Sequence, residues 1–457
     1  MAILRGRIRE LGALRSSLDR SDPTLVRLTG PHGVGKTTLL RRVLADYASL
    51  HVTVPPLPDP AQRAHLARAL SLEPGAEPPS LESLFRVVSE RVTGEQRPFV
   101  LALDDAQRLE QARARLAAPL ATLLAPGSGR PPVHVVLSGH AFALGTESDP
   151  VADAPAHDVR LGPLSLRAAR PFLPGTTAAE RITAHAVFGG LPDRLRALDP
   201  SASLTTNLRR LVLEPGAPLA DAGIRVLERD VHTPARYAAI LSALSHGEAD
   251  WATVHGGVPD LTTSGQVAPY LRRLEELGLV EVRRSLDAGP RSRSRRYRIV
   301  DSFDAFWFRF VLPRLHRVEM EEGAELLPEI RVDVDAHVAS AFPELCRRYV
   351  ALDALERLPA NARESGSLWG AGYEIPVAGI LGSGAAFYGS ASWPGTPGPG
   401  ALAALDRQIR ETRYGFGRER RIRLLFGPGP FSTELVRRAA QRHDVVLLSA
   451  EALVGGE

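Results

Sequence analysis

The segment GPHGVGKT carries glycine, lysine and threonine in a spacing that can hold a phosphate group. Gly30, Gly35, Lys36 and Thr37 fit the pattern G-x-x-x-x-G-K-[ST]. Such glycines let backbone N–H groups curl around a phosphate, and the start of the following helix adds partial positive charge. Lys36 is the only lysine among 56 Lys and Arg residues. A slim ammonium reaches between two phosphates, where a planar guanidinium does not fit. The spacing therefore predicts a nucleotide-phosphate site; a glycine-rich turn without a ligand is the alternative.

The residues around this loop predict the elements that would position it. PTLVRLTG, before the loop, alternates β-favouring residues, and KTTLLRRVLADYASL, after it, carries apolar residues at helical spacing. Strand, glycine loop and helix in this order are the context in which the motif binds phosphate. The predicted contacts to the nucleotide are Gly30, Pro31, His32, Gly33, Val34, Gly35, Lys36, Thr37 and Thr38.

A second motif carries carboxylates that suit a magnesium ion. The apolar strand Phe99–Leu103 ends in Asp104 and Asp105. We predict that Asp104 holds Mg²⁺ together with the Thr37 hydroxyl, and that Asp105 is the base that aligns an attacking water. A strand that ends in an acidic helix cap is the alternative. Ser138 ends a third apolar strand, where it either senses a γ-phosphate or lies in a turn without that role.

The overall composition bounds the kind of protein that carries these motifs. The chain has 457 residues, of which 44% are hydrophobic and 24% charged, so we expect a folded protein of three or four domains. A net charge of +4 predicts no uniformly basic surface. The single cysteine, Cys346, allows no intrachain disulfide and favours a reducing cytoplasm. We also expect no signal peptide and no membrane span, because no sufficiently long apolar run occurs.

Residues 234–300 predict a winged helix. PARYAAILSALSHG, DWATVHGG and TSGQVAPYLRRLEELGLV read as three helices, and LVEVRR and RRYRIV read as strands around an SLDAGPRSRS tip. The paired acids Glu275 and Glu276 on the third helix disfavour base reading, so the module either contacts double-stranded DNA or docks within the protein. The wing arginines that could meet phosphates are Arg283, Arg284, Arg291, Arg293, Arg295, Arg296 and Arg298, with Arg293, Arg295 and Arg296 as the proposed DNA contacts.

Three further segments resemble a known ATPase family. LRGRIRELGAL resembles the Gly-Arg-x-x-Glu-Leu opening of AAA+ and STAND ATPases, and FGGLPDRL resembles the Gly-x-Pro segment of the STAND lid. With the P-loop and YRIVDSFDAFWFRFVLP, residues 297–313, nearly the whole chain resembles archaeal-type STAND ATPases. The resemblance implies that Arg7, Gly190 and Pro192 lie near the adenine of ATP, although a helix cap at 190–192 is an equal reading. It also implies slow hydrolysis, because relatives usually carry glutamate where this chain has Asp105.

The resemblance extends to a C-terminal domain like the PD-(D/E)xK nucleases. Cleavage by that fold needs an acid on one strand and Glu-x-Lys on the next, to hold a metal and activate water. Here Pro376 replaces the acid, Ser390 and Ser392 replace the glutamate and the lysine, and Pro343 stands beside Glu344 where a helix glutamate often sits. We therefore predict a nuclease-like fold without nuclease activity.

Together these patterns predict an α/β protein with four domains. They are a P-loop NTPase parallel sheet (1–162), a helical lid (163–230), a winged helix with an aromatic connector (231–313), and an α/β nuclease-like domain (314–457). The leading hypothesis is a STAND-type ATPase that binds ATP and Mg²⁺, hydrolyses ATP slowly and acts as a regulatory switch. The alternative is an ATP-modulated DNA-binding regulator. A protein partner of the C-terminal domain and oligomerisation on activation are open.

Overall fold

The structure divides into two compact units. The structure is a computed structural model. The first unit comprises Met1–Gly162 with Glu275–Gly278, and the second unit comprises Pro163–Leu274 with Leu279–Glu457. The α/β class predicted from the sequence is confirmed, whereas the division into four domains stays a prediction. The described residues are 6–72, 79–92, 97–112, 119–121, 123–125, 131–140, 156–231, 233–261, 263–289, 291–292 and 294–455.

The first unit is a parallel sheet between helices. Its strands follow the order β2-β3-β4-β1-β5, and every neighbouring pair is parallel. All seven residues of β4 are buried, as expected for a strand covered on both faces. In chain order the elements are α1 (Ile8–Leu18), β1 (Leu25–Thr29), α2 (Lys36–Leu44), β2 (Ala48–Thr53), α3 (Asp59–Ala69), α4 (Leu81–Val92), β3 (Phe99–Asp104), a 3₁₀ turn (Ala106–Ala112), β4 (Val133–Gly139) and β5 (Ala156–Arg160).

The register of the sheet brings the ends of three strands together. Thr29 pairs with Gly139 and Leu103 with Leu137, so β1, β4 and β3 end at the same edge. The glycine loop follows β1, and Asp104 closes β3. The carboxyl edge of a parallel sheet is where ligands bind in open α/β folds. The sheet thus collects the predicted chemical groups at one edge.

The second unit contains two sheets among many helices. A three-stranded antiparallel sheet has the order β6-β8-β7, and a five-stranded mixed sheet has the order β13-β12-β11-β10-β9. The helices up to the second sheet are α5 (Leu166–Ala169), α6 (Ala178–Phe188), α7 (Pro192–Leu195), α8 (Leu204–Leu208), α9 (Ala222–Asp230), α10 (Pro234–Leu244), α11 (Trp251–Gly256), α12 (Ala268–Glu276), α13 (Ser302–Phe306), α14 (Leu315–Glu319) and α15 (Gly323–Leu352).

The remaining elements complete these sheets. The strands are β6 (Ala249–Asp250), β7 (Val280–Arg283), β8 (Arg296–Ile299), β9 (Ala362–Gly370), β10 (Tyr373–Leu381), β11 (Ala386–Ala391), β12 (Arg421–Phe426) and β13 (Val445–Leu448). The last helices are α16 (Pro399–Glu411), α17 (Thr433–Ala440) and α18 (Ala450–Val454), and short 3₁₀ or π turns occur at Arg170–Phe172, Arg209–Leu213, Ser264–Gln266, Trp307–Val311, Leu312–Arg314 and Ala354–Glu356. Among the described residues, none of the helices combines the length and the apolar character that a bilayer crossing requires.

The aromatic connector forms part of the core of the second unit. Phe303, Phe306 and Trp307 are fully buried, as their helical spacing predicts. The Trp307 indole donates a hydrogen bond of 2.9 Å to the carbonyl of Ala220. A β-carbon at Gly223 would lie 2.2 Å from the same ring, so only glycine fits there. The connector thus ties α9 to the rest of this unit.

A buried histidine on α15 packs against the connector. His337 is fully buried, and its ring lies edge-on to Phe306 and Phe310 with centroids 5.6 and 5.9 Å apart. Nε2 donates a hydrogen bond of 2.9 Å to the carbonyl of Ala186, because a carbonyl can only accept. Burial lowers the pKa of His337 to about 4, so the ring is neutral near pH 7.

Lowering the pH from 7.5 to 5 should therefore destabilise the second unit. In the unfolded chain His337 has a pKa near 6.5 and is protonated at pH 5. The buried ring in the folded protein does not bind a proton until about pH 4. Its stabilising contribution is complete above pH 6.5 and falls by about 2 kcal/mol by pH 5. All four tryptophans lie in this unit, so urea unfolding followed by tryptophan fluorescence measures the loss.

Two variants test this histidine. His337→Gln keeps a donor for Ala186 and should lose about 2 kcal/mol less than the parent between the two pH values. His316→Gln, which changes an exposed histidine of the same unit, should keep the parent's pH dependence. Equal losses in the parent and His337→Gln would contradict the assignment.

Candidate nucleotide-binding site

The glycine loop has the backbone shape that its composition predicts. Gly35 adopts φ 96°, a left-handed conformation that favours glycine, immediately before α2. A β-carbon on Gly30 would lie 2.5 Å from the carbonyl oxygen of Leu161, so the backbones approach too closely for a side chain. Both glycines are therefore required by the geometry of the loop.

Lys36 projects its ammonium over this loop. The residue is 8% exposed, and Nζ donates hydrogen bonds of 2.8 Å to the carbonyl of Gly30 and 3.0 Å to that of Pro31. These bonds hold the charge beside the first turn of α2, where backbone N–H groups lack helical partners. In the same loop Val34 is buried, whereas His32 is exposed. An ammonium and the backbone N–H groups of a helix start are together suited to a polyphosphate.

Asp104 lies directly opposite the helix that carries Lys36. Its carboxylate is 2% exposed and accepts a hydrogen bond of 2.5 Å from the Thr37 hydroxyl. Ser138 donates to the other carboxylate oxygen, and Nε2 of His51 lies 3.7 Å from the carboxylate. Burial opposes ionisation, but the neighbouring His51 and the hydroxyls of Ser138 and Thr37 hold the pKa of Asp104 well below its usual value. Asp104 is therefore a carboxylate at neutral pH.

The Thr37 and Asp104 oxygens fit a magnesium ion. Mg²⁺ prefers oxygen ligands and commonly uses one or two protein oxygens, with phosphates and water as the others. A hydroxyl and a carboxylate 2.5 Å apart at the phosphate-binding loop supply that donor set. Ser138, which is fully buried, contacts Asp104 here, and its contact with a γ-phosphate stays a prediction.

Asp105 is held in an unusual conformation. Its φ is 57°, in the left-handed region that costs a non-glycine residue free energy. The carboxylate lies 3.1 Å from the guanidinium of Arg108 and accepts a hydrogen bond of 3.3 Å from Gln107. Arg108 also donates to the carbonyl of Val54 at 2.9 Å. Asp105, the predicted base, thus lies at this edge of the sheet, and its carboxylate forms an ion pair with Arg108.

Two neighbours in this site were not predicted from the sequence. His51 approaches Asp104 because β2 pairs with β3, and Arg108 reaches Asp105 because the 3₁₀ turn folds back. A polar residue within the edge strand β2 is a weak signal for the first. The i, i+3 spacing of opposite charges was a usable signal for the second.

Arg7 joins three parts of the first unit. It is 6% exposed and donates hydrogen bonds to Glu10 at 2.9 Å, to the carbonyl of Val34 at 3.2 Å and to the carbonyl of Gly162 at 2.6 Å. The guanidinium thus connects the start of α1 to the glycine loop and to the end of the unit. Its proposed contact with adenine stays a prediction.

Gly190 and Pro192 lie in the second unit. The N–H of Gly190 donates to Asp301 at 3.0 Å, and a β-carbon on Gly190 would lie 2.7 Å from the carbonyl oxygen of Leu164. Pro192 is the first residue of α7, a position that suits proline. Packing within this unit explains both residue types, and their contact with adenine stays a prediction.

The nuclease-like positions hold few metal ligands. Pro376 lies within β10 and offers only its carbonyl, which accepts from Arg347, and the Ser390 hydroxyl on β11 is buried without a partner among the described residues. Ser392 follows β11, and its N–H donates to the carbonyl of Phe426. Within the described part of the chain, no cluster of three or more His, Cys, Asp or Glu side chains could hold a metal.

Glu344 is instead surrounded by arginines. Burial opposes its ionisation, but nearby guanidinium groups hold the pKa of Glu344 well below its usual value. Two of these arginines come from the predicted wing and two from α15. The N–O distances are 2.5 Å for Arg283, 3.2 Å for Arg298, 3.1 Å for Arg347 and 2.9 Å for Arg348.

The predicted DNA-contacting arginines divide into several groups. Arg296 pairs with Glu374 at 2.6 Å and lies 4.7 Å over the Trp369 ring. Arg295 is exposed, as are Arg284 and Arg291, whereas Arg293 lies outside the described residues. Arg283 and Arg298 belong to the cluster around Glu344. Much of the wing's positive charge is thus used in contacts with the C-terminal part of the same unit.

Comparisons with known proteins add two family matches. Residues 19–145 match the model described as "AAA domain", and residues 307–393 match the model described as "Archaea bacterial proteins of unknown function". An uncharacterized protein of Methanocaldococcus jannaschii is 27% identical over 157 residues, which are 33% of this chain and 34% of that relative. The chain therefore matches about a third of the length of this curated relative.

Similar solved structures include two archaeal proteins. A Walker-type ATPase of Pyrococcus abyssi is 19% identical, with 66% of this chain and 95% of that chain covered and a TM-score of 0.48. The ORC2 protein of Aeropyrum pernix, in ADPNP-ADP complexes, is 16% identical, with 70% and 96% covered and a TM-score of 0.45. Residues 19–145, which contain the glycine loop and most of the parallel sheet, are therefore similar to an AAA domain, and the chain is of the α/β class.

Proposed function

We propose that this chain binds ATP with Mg²⁺ in the first unit, hydrolyses it slowly and acts as a STAND-type regulatory switch. The observation that carries the proposal is the meeting of Lys36, Thr37 and Asp104 at one sheet edge, with the Thr37 hydroxyl 2.5 Å from the Asp104 carboxylate. An ammonium and a metal-holding pair on the same phosphate loop are the parts that triphosphate binding requires.

Each predicted residue has a defined task in this proposal. The loop N–H groups and Lys36 bind the β- and γ-phosphates, and Thr37 with Asp104 orients the magnesium ion. Bound Mg²⁺ supplies neutralising charge to those phosphates. Asp105 orients the attacking water, and Ser138 keeps the Asp104 carboxylate in place. Within the first unit, adenine would lie near Arg7, as the resemblance implies.

The surroundings of Asp105 support slow turnover. Its carboxylate is shared between Arg108 and Gln107, and its side chain is one methylene shorter than the usual glutamate. A base held by a guanidinium is less available to a water molecule, because the ion pair favours the carboxylate's existing position. The same contact leaves the phosphate-binding groups unaffected.

Asp105→Asn should leave ATP affinity unchanged and lower turnover about a hundredfold, because an amide cannot accept the proton of the water. Steady-state phosphate release and the Kd for a fluorescent ATP analogue measure the two effects separately. Asp158→Asn, on β5 and paired with Arg27, is the matched control and should behave like the parent. Unchanged turnover in Asp105→Asn would remove this residue from the mechanism.

Arg108→Ala should raise turnover about two- to fivefold. The Arg108–Asp105 contact is partly exposed, and pairs of this kind contribute at most about 1 kcal/mol. Release of the carboxylate makes it available to the water. Arg63→Ala, which breaks the comparable pair with Asp59, controls for the loss of a surface charge. Turnover equal to or below the parent's, at an unchanged melting temperature, would contradict a restraining role.

The path of the chain supports a switch. Glu275–Gly278 belongs to the first unit, while the residues on both sides, Leu274 and Leu279, belong to the second. A change of the first unit on nucleotide exchange therefore acts on α12 and β7 through the covalent chain. Hydrogen exchange of residues 268–283 should differ between the ATP-bound Asp105→Asn protein and its ADP-bound form. Identical exchange in the two forms would overturn the switch.

An ATP-modulated DNA-binding regulator is the second candidate. It is supported by Arg284, Arg291 and Arg295, which are exposed on the predicted wing. Duplex DNA should then bind with a salt-dependent affinity that is lost when Arg293, Arg295 and Arg296 are changed to alanine. Indifference to DNA with either nucleotide leaves the switch as the sole function. A protein partner of the C-terminal domain and oligomerisation remain predictions of the same scheme.

A further inference from the structure

A basic loop with an outward-facing aromatic ring lies in the C-terminal part of the second unit. Residues 412–421 run from the end of α16 to the first residue of β12, and we call this segment the aromatic–arginine loop. Phe416, at its tip, is 82% exposed. The loop carries one acid, Glu419, against four arginines, for a net charge of +3: Arg413, Arg418, Arg420 and Arg421.

The four arginines of this loop lack acidic partners within the described part of the chain. Among the described residues, none of its four arginines forms an ion pair, and Arg418 makes only a 3.3 Å hydrogen bond to the carbonyl of Gly384. Two residues further along β12, by contrast, Arg423 pairs with Asp406 at 2.9 Å and with Asp444 at 2.7 Å. Four acids lie in or beside the loop: Glu419 within it, Glu411 directly before it, Glu364, which accepts from the Tyr414 hydroxyl, and Asp287, which accepts from the Thr412 hydroxyl at 2.8 Å. None of these described acids pairs with the four arginines. The loop therefore presents positive charge to an external anion.

The base of the loop is firmly anchored below its tip. The Tyr414 hydroxyl donates to Glu364 at 2.7 Å, and the Tyr388 hydroxyl donates to the carbonyl of Tyr414 at 2.5 Å. Gly415, with φ 67°, lies where a β-carbon would be 2.5 Å from that Tyr388 hydroxyl, so the loop backbone passes directly over the core. Phe416 directly follows this anchored glycine and is exposed.

The Phe416 ring already has a cation on one side. The guanidinium of Arg421 lies 5.5 Å from the ring centroid, a cation–π distance. An exposed aromatic face backed by arginine and surrounded by unpaired guanidinium groups combines the two elements that bind an unpaired base and its phosphates. A single exposed phenylalanine offers too little apolar area to anchor a membrane.

We propose that the aromatic–arginine loop binds single-stranded nucleic acid, with a base stacked on Phe416 and phosphates contacted by the surrounding arginines. This site is separate from the predicted wing and goes beyond nucleotide-dependent switching. A duplex fits it less well, because paired bases do not expose their faces.

Fluorescence anisotropy with labelled 12-nucleotide single strands tests the site in the full-length chain. Phe416→Ala should weaken binding about tenfold, whereas Phe416→Trp, which still stacks, should bind like the parent. Arg413→Ala with Arg420→Ala should lower the salt dependence by about 1.4 in log Kd per log salt, at about 0.7 per phosphate contact. Arg331→Ala with Arg357→Ala removes the same charge at exposed positions outside the loop and should change neither the salt dependence nor the effect of Phe416→Ala.

Parallel probes distinguish the sources of the ligand. RNA and DNA strands of the same sequence show which sugar is preferred; dependence on Phe416 with either strand supports the proposal. Parent and Phe416→Ala proteins that bind single strands equally would overturn it. Equal Phe416-dependent affinity for a duplex, Phe416-dependent binding to phosphatidylserine vesicles without strand binding, or full competition by polyglutamate would also overturn it. Melting temperatures should be unchanged, because Phe416 is exposed.

Discussion

Lys36→Ala should weaken ATP binding about a thousandfold. In the proposed site the ammonium pairs with two phosphates, and the removal of one partner of such a partly buried pair costs about 4 kcal/mol. Lys36→Arg should restore little of this affinity, because the guanidinium is too broad for the slot that a lysine reaches. Isothermal titration with ATP and Mg²⁺ measures both variants against the parent.

A control for charge is available on the same helix. Arg41→Ala removes one exposed positive charge from α2 and should bind ATP like the parent. The result is simple to interpret, because the chain has no second lysine that could substitute for Lys36. Retention of parent-like affinity by Lys36→Ala would contradict the assignment of residues 30–38 as the nucleotide site.

Arg194→Ala should destabilise the second unit by about 3–5 kcal/mol, the usual cost of removing one partner from a buried ion pair. The Arg194 side chain is 9% exposed and lies 2.8 Å from Asp301 and 2.6 Å from Asp304. Its guanidinium also lies 4.4 Å over the Phe303 ring. The variant leaves two buried carboxylates without a cation. Urea unfolding followed by tryptophan fluorescence measures the loss.

The pH dependence of this variant identifies the cause. Burial raises the pKa of Asp304 to about 6 even with Arg194 beside it. Without the guanidinium the pKa of Asp304 in the folded protein rises further above its unfolded value. Protonation then removes the unpaired buried charge, so the loss of unfolding free energy caused by Arg194→Ala should shrink as the pH falls. Arg196→Ala, which changes an exposed neighbour, should stay within about 0.5 kcal/mol of the parent. A loss from Arg194→Ala that is equally small would mean that the pair is not a stabilising contact.

The Arg194 contacts also bear on the proposed switch. They join α7, in the predicted lid, to the start of the aromatic connector. Asp301 additionally accepts from the N–H of Gly190 at 3.0 Å and from that of Phe303 at 3.1 Å. The lid and the connector should therefore move together when the nucleotide changes, because a break between them would expose unpaired buried charges.

Arginine side chains form ion pairs in one described part of the second unit and lack acidic partners in another. Arg283 and Arg298 neutralise the half-buried Glu344, while Arg413 and Arg420 have no acidic partner among the residues described. Since both pairs lie in arginine-rich stretches, composition does not distinguish them. Pairing across the fold decides which charges are available to an outside ligand.

The amino-acid sequence by itself determined the glycine loop and the carboxylate that accompanies it. Gly30, Lys36 and Thr37 follow one another at a fixed local spacing, and backbone geometry over eight residues depends little on the rest of the chain. Asp104 could be predicted because an apolar strand ends directly before it. The burial of the aromatic residues at 303–310 could be predicted for the same reason, since helical periodicity is a local property of the sequence.

Only the tertiary structure decided which side chains surround these groups. His51 meets Asp104 through the register of two parallel strands, and Glu344 meets Arg283 although the two are 61 positions apart in the chain. No local pattern encodes such partners, because they depend on the pairing of distant segments and on which charges become buried together. The exposure of Phe416 likewise could not be predicted from its sequence neighbours, because the path of the folded chain decides which aromatic rings are buried.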